Sequence, residues 1–137
     1  ALGALTEVEM APLAGRGVRD MSGGERARVL FARLLATGAP LLLADEPAAG
    51  LDPEAQFLVM HLLRRRLDSG VAVLATFHDL TLAARACDRI GVMSGGRLLT
   101  LAPPSEALTA SVLAEAFGLE GGLIATPAGP VVAVRRP

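Results

Sequence analysis

Aromatic residues are scarce in this chain: they make up 3% of its 137 residues, although hydrophobic residues as a whole make up 52%. A core without many large rings has to be built from Ala, Leu and Val in close layers, which suits helices packed on a sheet. Cysteine is reduced to Cys87. A single thiol excludes an internal disulfide and a cysteine-built zinc cluster, and it is compatible with a reducing cytoplasm. Neither sign of charge dominates, since 13 Lys and Arg face 14 Asp and Glu for a net charge of -1. The basic excess behind sequence-independent binding to nucleic acid is missing, so nucleic acid is not an expected partner. Long apolar runs are missing too. The longest, "PLLLA", falls far short of the ~20 residues that cross a bilayer, and no charged-then-apolar leader precedes it. A soluble chain is the expectation. Its length suits one domain with a real core and is too short for two. It opens on Ala1 rather than Met, which points to processing or to a piece of something larger.

What is present is repetition with a difference. "MSGG" occurs at Met21–Gly24 and again at Met93–Gly96, and the residues that follow separate the two copies. Residues 1–19 read as an Ala/Leu/Glu helical stretch that breaks at "APLAGRG". Ser22 then stands as an N-cap, with Leu30, Leu34 and Leu35 at helical spacing up to the stop at "TGAP". The first copy therefore opens a helix. "PLLLADEP" reads as a short strand buried on both faces. After the turn "AAGLDP", Pro53 suits the first position of a second helix running to about Asp68, closed by Ser69 and Gly70. "VAVLATF" is the next strand and "LTLAARACDR" the next helix. "RIGVM" and "RLLTLA" flank the second "SGG" as a β-hairpin. The second copy therefore closes a strand. A Pro-started helix, a short helix through Phe117 and a small hairpin across "TPAGP" complete an α/β pattern with a mainly parallel sheet.

Several residues stand where chemistry is possible. A helix N-terminus exposes unpaired N–H groups and the positive end of a dipole, so Ser22, Gly23 and Gly24 could hold a phosphate; an ordinary cap and turn is the plainer reading. Asp45 and Glu46 end a buried strand, the sheet edge where α/β proteins place ligands. A carboxylate there can hold Mg²⁺, and a partly desolvated neighbour can polarise a water. The alternative is a solvated acidic pair at a turn. His78 follows the next strand as a surface or core histidine, and Asp52 as a helix N-cap. His61, with Arg64, Arg65 and Arg66, reads as a solvated face.

In joint order these features resemble the ATP-binding subunit of ABC transporters. "MSGGERARVLFARLL" looks like the family's signature motif and its helix, and "LLLADEP" like Walker B with its catalytic glutamate. "AAGLD" looks like the D-loop, and "ATFHDL" like the switch-histidine loop. The likeness runs on through "GVMSGGRLLTLAPPSEALT" to "LAEAFGL", so it covers nearly all of the chain. Met21 replaces the usual Leu, Glu25 the usual Gln, and Ala102 a common Gly. No G-x-x-x-x-G-K-[ST] and no glutamine loop occur in these 137 residues. Without that lysine and its loop of N–H groups the β- and γ-phosphates lack their main cradle, so the chain alone is expected to be inactive.

The resemblance implies the C-terminal portion of a single ABC-type ATP-binding domain, a partial P-loop NTPase fold with a C-terminal β-hairpin and short helices. Residues 1–36 would be the end of the helical subdomain and the signature helix. Residues 37–102 would be the Walker B, D-loop and switch-histidine core, and 103–137 the C-terminal helices and tail. It further implies that two complete subunits sandwich two ATP molecules. Ser22, Gly23, Gly24 and Glu25 would then meet the γ-phosphate of the nucleotide held by the partner subunit. Asp45 would support Mg²⁺, Glu46 would be the general base, His78 would contact the γ-phosphate, and Asp52 would couple the two sites. The implied partners are a second ATP-binding subunit in a homodimer and membrane-spanning permease subunits, and the implied place is the cytoplasmic face of the inner (plasma) membrane, peripherally.

Two other readings stay open on these residues. One is an ABC-type ATPase of DNA repair or translation, against which the hairpin after His78 and the "PPSEALT" tail count. The other is a truncated or regulatory module without activity of its own. Within the transporter reading, "FHDLTLAARACDRIGVMSGGRLL" followed by "LTASVLAEAFGL" looks most like the subunits that energise import of iron chelates, haem or cobalamin.

Overall fold

The computed structural model describes residues 2–137; Ala1, counted above in the first helical stretch, lies outside the described residues. The chain divides into two compact units, one up to Phe77 and the other from His78 onward. The boundary falls inside the segment 37–102. Among the described residues, no helix is long and apolar enough to cross a membrane.

In the first unit the opening helix stops a little earlier than expected. Helix α1 spans Leu2–Glu7, ending a few residues before the expected break at "APLAGRG", and the chain follows that Pro- and Gly-punctuated stretch through two 3-10 turns, Ala11–Leu13 and Val18–Asp20. The reason lies at Glu9, whose φ of 61° is left-handed. Its N–H donates to Thr6 O and that of Met10 to Leu5 O, the paired bonds of a Schellman closure. Met10 is buried in the core against which Leu5 also packs, the apolar burial that commonly accompanies such a closure.

Helix α2, Gly23–Leu35, starts where the first "MSGG" predicts, with Ser22 as its N-cap. Its buried stripe is Phe31, Ala32 and Leu35; Leu30, expected on that stripe, is exposed. At ~100° per residue Leu30 is turned away from the face centred on Phe31 and Leu35. Strand β1, Leu41–Ala44, pairs in parallel with β2, Ala72–Ala75, in the register Leu41↔Ala72 to Ala44↔Ala75. Helix α3, Pro53–Asp68, connects them, as a parallel pair requires. Val8, Phe31, Leu35, Leu42, Val59 and Leu62 belong to one core. Burying each such side chain is worth roughly 1.5–3 kcal/mol.

Strand β1 is not buried on both faces. Leu42 and Ala44 point into the core, whereas Leu43 and, on β2, Leu74 are 63% and 66% exposed. The core formed with α2 and α3 lies on one face, so the strand alternates. Arg64 and Arg65 are solvated as expected, but Arg66 is not. Its Nη2 donates to both carboxylate oxygens of Glu7 at 2.8 and 3.0 Å, tying α1 to α3 by a forked, half-buried pair.

The second unit begins with helix α4, Leu80–Ala86, N-capped by Asp79, whose Oδ1 accepts from Leu82 N. Strands β3, Ile90–Ser94, and β4, Arg97–Ala102, form the expected antiparallel hairpin. Gly95 and Gly96 form its turn with φ of 53° and 74°, the left-handed pair that a two-residue hairpin loop needs. Ala102 is paired with Ile90 and so closes the hairpin despite replacing a glycine. Helices α5, Pro104–Ala107, and α6, Ala110–Phe117, pack on β3, burying Leu108 and Leu113. Strands β5, Glu120–Ile124, and β6, Val131–Arg135, form the terminal hairpin. Two bonds join it to α4: Val132 N donates to Thr81 Oγ1, and Arg85 Nε donates to Pro130 O. Among the described residues the parallel character rests on β1 and β2 alone, and the other pairs are hairpins.

Unfolding midpoints of three variants test this second unit. Gly96→Val is expected to cost about 1–2 kcal/mol, the left-handed penalty alone, because a Cβ there meets open space. Gly121→Ala is expected to cost more, since its Cβ would stand 2.0 Å from Ala133 O at a φ of 142°. Ser94→Arg, next to the turn, should stay within ~0.5 kcal/mol of the parent. A Gly96→Val protein as stable as the parent would refute the left-handed turn.

Candidate functional site

One more step along the β1–β2 register sets Asp45 opposite Thr76. The ladder runs that far, because Thr76 N donates to Ala44 O at 3.0 Å. The Thr76 hydroxyl then donates to Asp45 Oδ1 at 2.5 Å and accepts from the Glu46 N–H at 2.9 Å. One side chain thus holds the carboxylate of one acidic residue and the main chain of the next. Glu46 is left-handed, with φ 47°, which costs a non-glycine residue roughly 1–3 kcal/mol. A neutral hydrogen bond returns about 1 kcal/mol and one to a carboxylate about twice that. Of the two bonds of Thr76, the one from the Glu46 N–H is of the size to offset the lower end of that strain. Glu46 O also accepts from Ala49 N, so the turn after β1 starts at once. Thr76 was missed by sequence reading; a hydroxyl one step beyond the second strand, opposite "DE", is the signal that could have found it.

The start of α2 is a complete capping box. Glu25 N donates to Ser22 Oγ at 3.2 Å, and Ser22 N donates to Glu25 Oε2 at 2.7 Å. Glu25 therefore serves the helix start as a cap. That Ser22 N–H bond holds its carboxyl below the ordinary range against an opposing desolvation, with further help from the Ser22 hydroxyl and from Arg16. The Gly23 and Gly24 N–H groups are left as those an anion would meet. A Cβ on either glycine would find nothing within 4 Å. Internal packing does not demand the glycines, and open access to the backbone is what they provide.

Asp52 caps α3, its Oδ1 accepting from Ala55 N at 2.8 Å, and Gln56 Nε2 reaches back to Ala48 O in the preceding turn. Ser22, Asp45, Glu46 and Asp52 all belong to the first unit, at the starts of α2 and α3 and the end of β1. His78 opens the second unit and is exposed. The hydrogen bonds bring Asp45 and Glu46 together through Thr76, and the Ser22 box and the Asp52 cap are separate constructions. No three His, Cys, Asp or Glu side chains among the described residues form a metal cage. Asp45 offers a hard oxygen donor at a strand end. That chemistry fits Mg²⁺ held by one carboxylate with phosphate oxygens and water, and does not fit a resident ion held by protein alone.

Comparison with known proteins finds relatives in sequence and in fold. The ABC transporter family model matches residues 1–49. The hemin import ATP-binding protein HmuV of Streptomyces coelicolor is 47% identical over 114 residues, which are 83% of this chain and 41% of that protein. The cobalamin import ATP-binding protein BtuD of Halobacterium salinarum is 42% identical over 132 residues, 96% of this chain and 33% of that protein. The chain thus spans less than half the length of these relatives. Among solved structures, an inward-facing metal-chelate type ABC transporter superimposes with a TM-score of 0.82 over 98% of this chain and 54% of its own, at 23% identity. At that identity the likeness is one of fold. A dimeric ATP-binding cassette in a post-hydrolysis state with ADP and Pi is 30% identical, with a TM-score of 0.69 over 75% of this chain and 45% of its own.

The capping box makes a pH prediction. Because the Glu25 carboxyl is held below its usual value, its stabilising effect is complete above the unfolded carboxylate range near pH ~4.3 and is lost as pH falls through the folded value. Glu25→Ala should therefore be less stable than the parent at neutral pH, and the gap should close in acid. Thermal midpoints of both proteins at a series of pH values measure it. A gap that stays constant would assign the stabilisation to something other than the charged cap.

Proposed function

The chain is a relative, in sequence and in fold, of the ATP-binding subunits of ABC transporters, and we propose that it acts as part of such a subunit, powering import of a metal chelate, haem or cobalamin. Residues 1–137 are read as a portion of a single ABC-type ATP-binding domain, from the signature motif onward. The observation that carries the reading is the Asp45–Glu46 pair at the end of β1, following a glycine helix start and preceding the Asp52 turn in chain order. The roles of the relatives, hemin and cobalamin import, support the cargo class.

In this reading ATP is hydrolysed between two subunits at a composite site. Ser22, Gly23 and Gly24 present N–H groups and a hydroxyl to the γ-phosphate of the nucleotide on the partner subunit, with Glu25 maintaining the helix start. Asp45 supplies a carboxylate oxygen for Mg²⁺. When bound, Mg²⁺ would neutralise charge on the phosphate oxygens during transfer. Glu46 accepts a proton from the attacking water, His78 donates a hydrogen bond toward the γ-phosphate, and Asp52 couples the paired sites. Catalysis is mainly positioning and charge stabilisation. The subunit works peripherally at the cytoplasmic face of the membrane, against permease subunits.

In the complete subunit, Glu46→Gln is expected to lower turnover by at least ~10²-fold, the usual scale for a general base, while ATP binding persists. Ser22→Arg should abolish turnover, because a long cation fills the space where the phosphate meets the helix start, and Ser94→Arg should not. Near-normal turnover of Glu46→Gln removes Glu46 from the role. With the cognate permease in vesicles, uptake of ferric chelate, haem or cobalamin should follow the ATPase rate; uptake confined to sugars or amino acids overturns the cargo. The 137 residues by themselves hold no phosphate-cradling lysine motif. Calorimetry is expected to find no micromolar Mg-ATP binding by them, and such binding would contradict their dependence on a phosphate loop.

A further inference from the structure

The geometry points to Thr76 as a positioning residue of the hydrolytic site, its hydroxyl setting both the Asp45 carboxylate and the left-handed main chain of Glu46. This rests on the reading of Asp45 and Glu46 given above. Three observations meet at this one oxygen. It donates to Asp45 Oδ1 and accepts from Glu46 N. Glu46 has a positive φ that a glutamate rarely adopts. The Thr76 main chain is itself anchored, because its N–H extends the β1–β2 ladder to Ala44 O. A hydroxyl is the smallest group that can serve both partners at once, since it donates with its hydrogen and accepts at its lone pairs.

The consequence for chemistry is geometric. Donation to Oδ1 restrains rotation of the Asp45 carboxylate and leaves Oδ2 as the oxygen for a cation. Holding the Glu46 N–H keeps the residue left-handed, and that conformation sets the direction in which its side chain leaves β1. Thr76 touches neither nucleotide nor water in this scheme and acts only through its two neighbours. Serine at this position keeps both bonds, whereas valine keeps the shape and loses both.

The test compares Thr76→Val, Thr76→Ser and Glu46→Gln in the complete ATP-binding subunit, reading kcat and KM for Mg-ATP, the unfolding midpoint, and amide exchange in a peptide containing Glu46. Thr76→Val is expected to lose about tenfold in kcat, which is ~1.4 kcal/mol of barrier, with KM little changed. Exchange at Glu46 should quicken about tenfold, and Thr76→Ser should restore both. Equal loss in Thr76→Ser and Thr76→Val overturns the proposal, because the hydroxyl is then not what matters. So does parent-like turnover of Thr76→Val beside an inactive Glu46→Gln, and in that case the hydrolytic reading survives. If Glu46→Gln itself turns over normally, the hydrolytic reading and the kinetic half of the proposal fall together. Unchanged exchange in Thr76→Val overturns the structural half independently. Should Thr76→Val fail to fold, Thr76→Ala takes its place with the same outcomes.

Discussion

The parallel register of β1 and β2 is the constraint on which the candidate site depends. Leu41 against Ala72 determines Ala44 against Ala75, and one more step brings Asp45 to Thr76. A shift of one residue would turn every side chain of the strand to the other face. It would take Leu42 out of the core and Asp45 away from the hydroxyl together. The core and the acidic pair are thus specified by the same pairing: apolar burial of Leu42 against α2 and α3 selects the register, and the register delivers the polar contacts.

Helix starts perform a second kind of work. Ser22 and Asp52 satisfy backbone N–H groups that no helix can satisfy internally. At α2 the cap and the proposed phosphate contact would draw on the same partial positive charge. There the Glu25 carboxylate already occupies the Ser22 N–H, so Gly23 and Gly24 are the donors left for an external anion. At α3 the cap is inward and short-range, and Gln56 secures the turn behind it through Ala48 O.

Exposed apolar groups show where packing within the described residues ends. Leu43 and Leu74 lie on the face of the β1–β2 pair opposite the core, and both are well exposed. Elsewhere in the first unit, the Schellman turn at Glu9 ends α1 and Arg66 on Glu7 ties α1 to α3. The first puts a non-glycine residue in the left-handed region beside the buried Met10, and the second joins residues distant in sequence. These are the places where the first helix ended before its expected break and the solvated arginine face gave way at Arg66.

Much of the architecture was legible in single residues. Ser22 with Glu25, Asp52 with Pro53, and Gly95 with Gly96 each state a backbone conformation within four positions, and the elements they begin or turn lie where expected. This is also why the two "MSGG" copies could be separated without coordinates: one is followed by helix formers, and the other by a second β-run. What could not be read locally is whatever joins distant positions. Asp45 and Thr76 stand 31 residues apart, Glu7 and Arg66 59 apart, and nothing in either segment names its partner. Leu42 and Leu43 are the same residue, so only the side on which the helices pack decided that Leu42 is buried and Leu43 is not. Local steric and hydrogen-bonding preferences are properties of a few consecutive residues, whereas strand register, buried face and the left-handed backbone of Glu46 are settled by contacts that exist only once the chain has closed on itself.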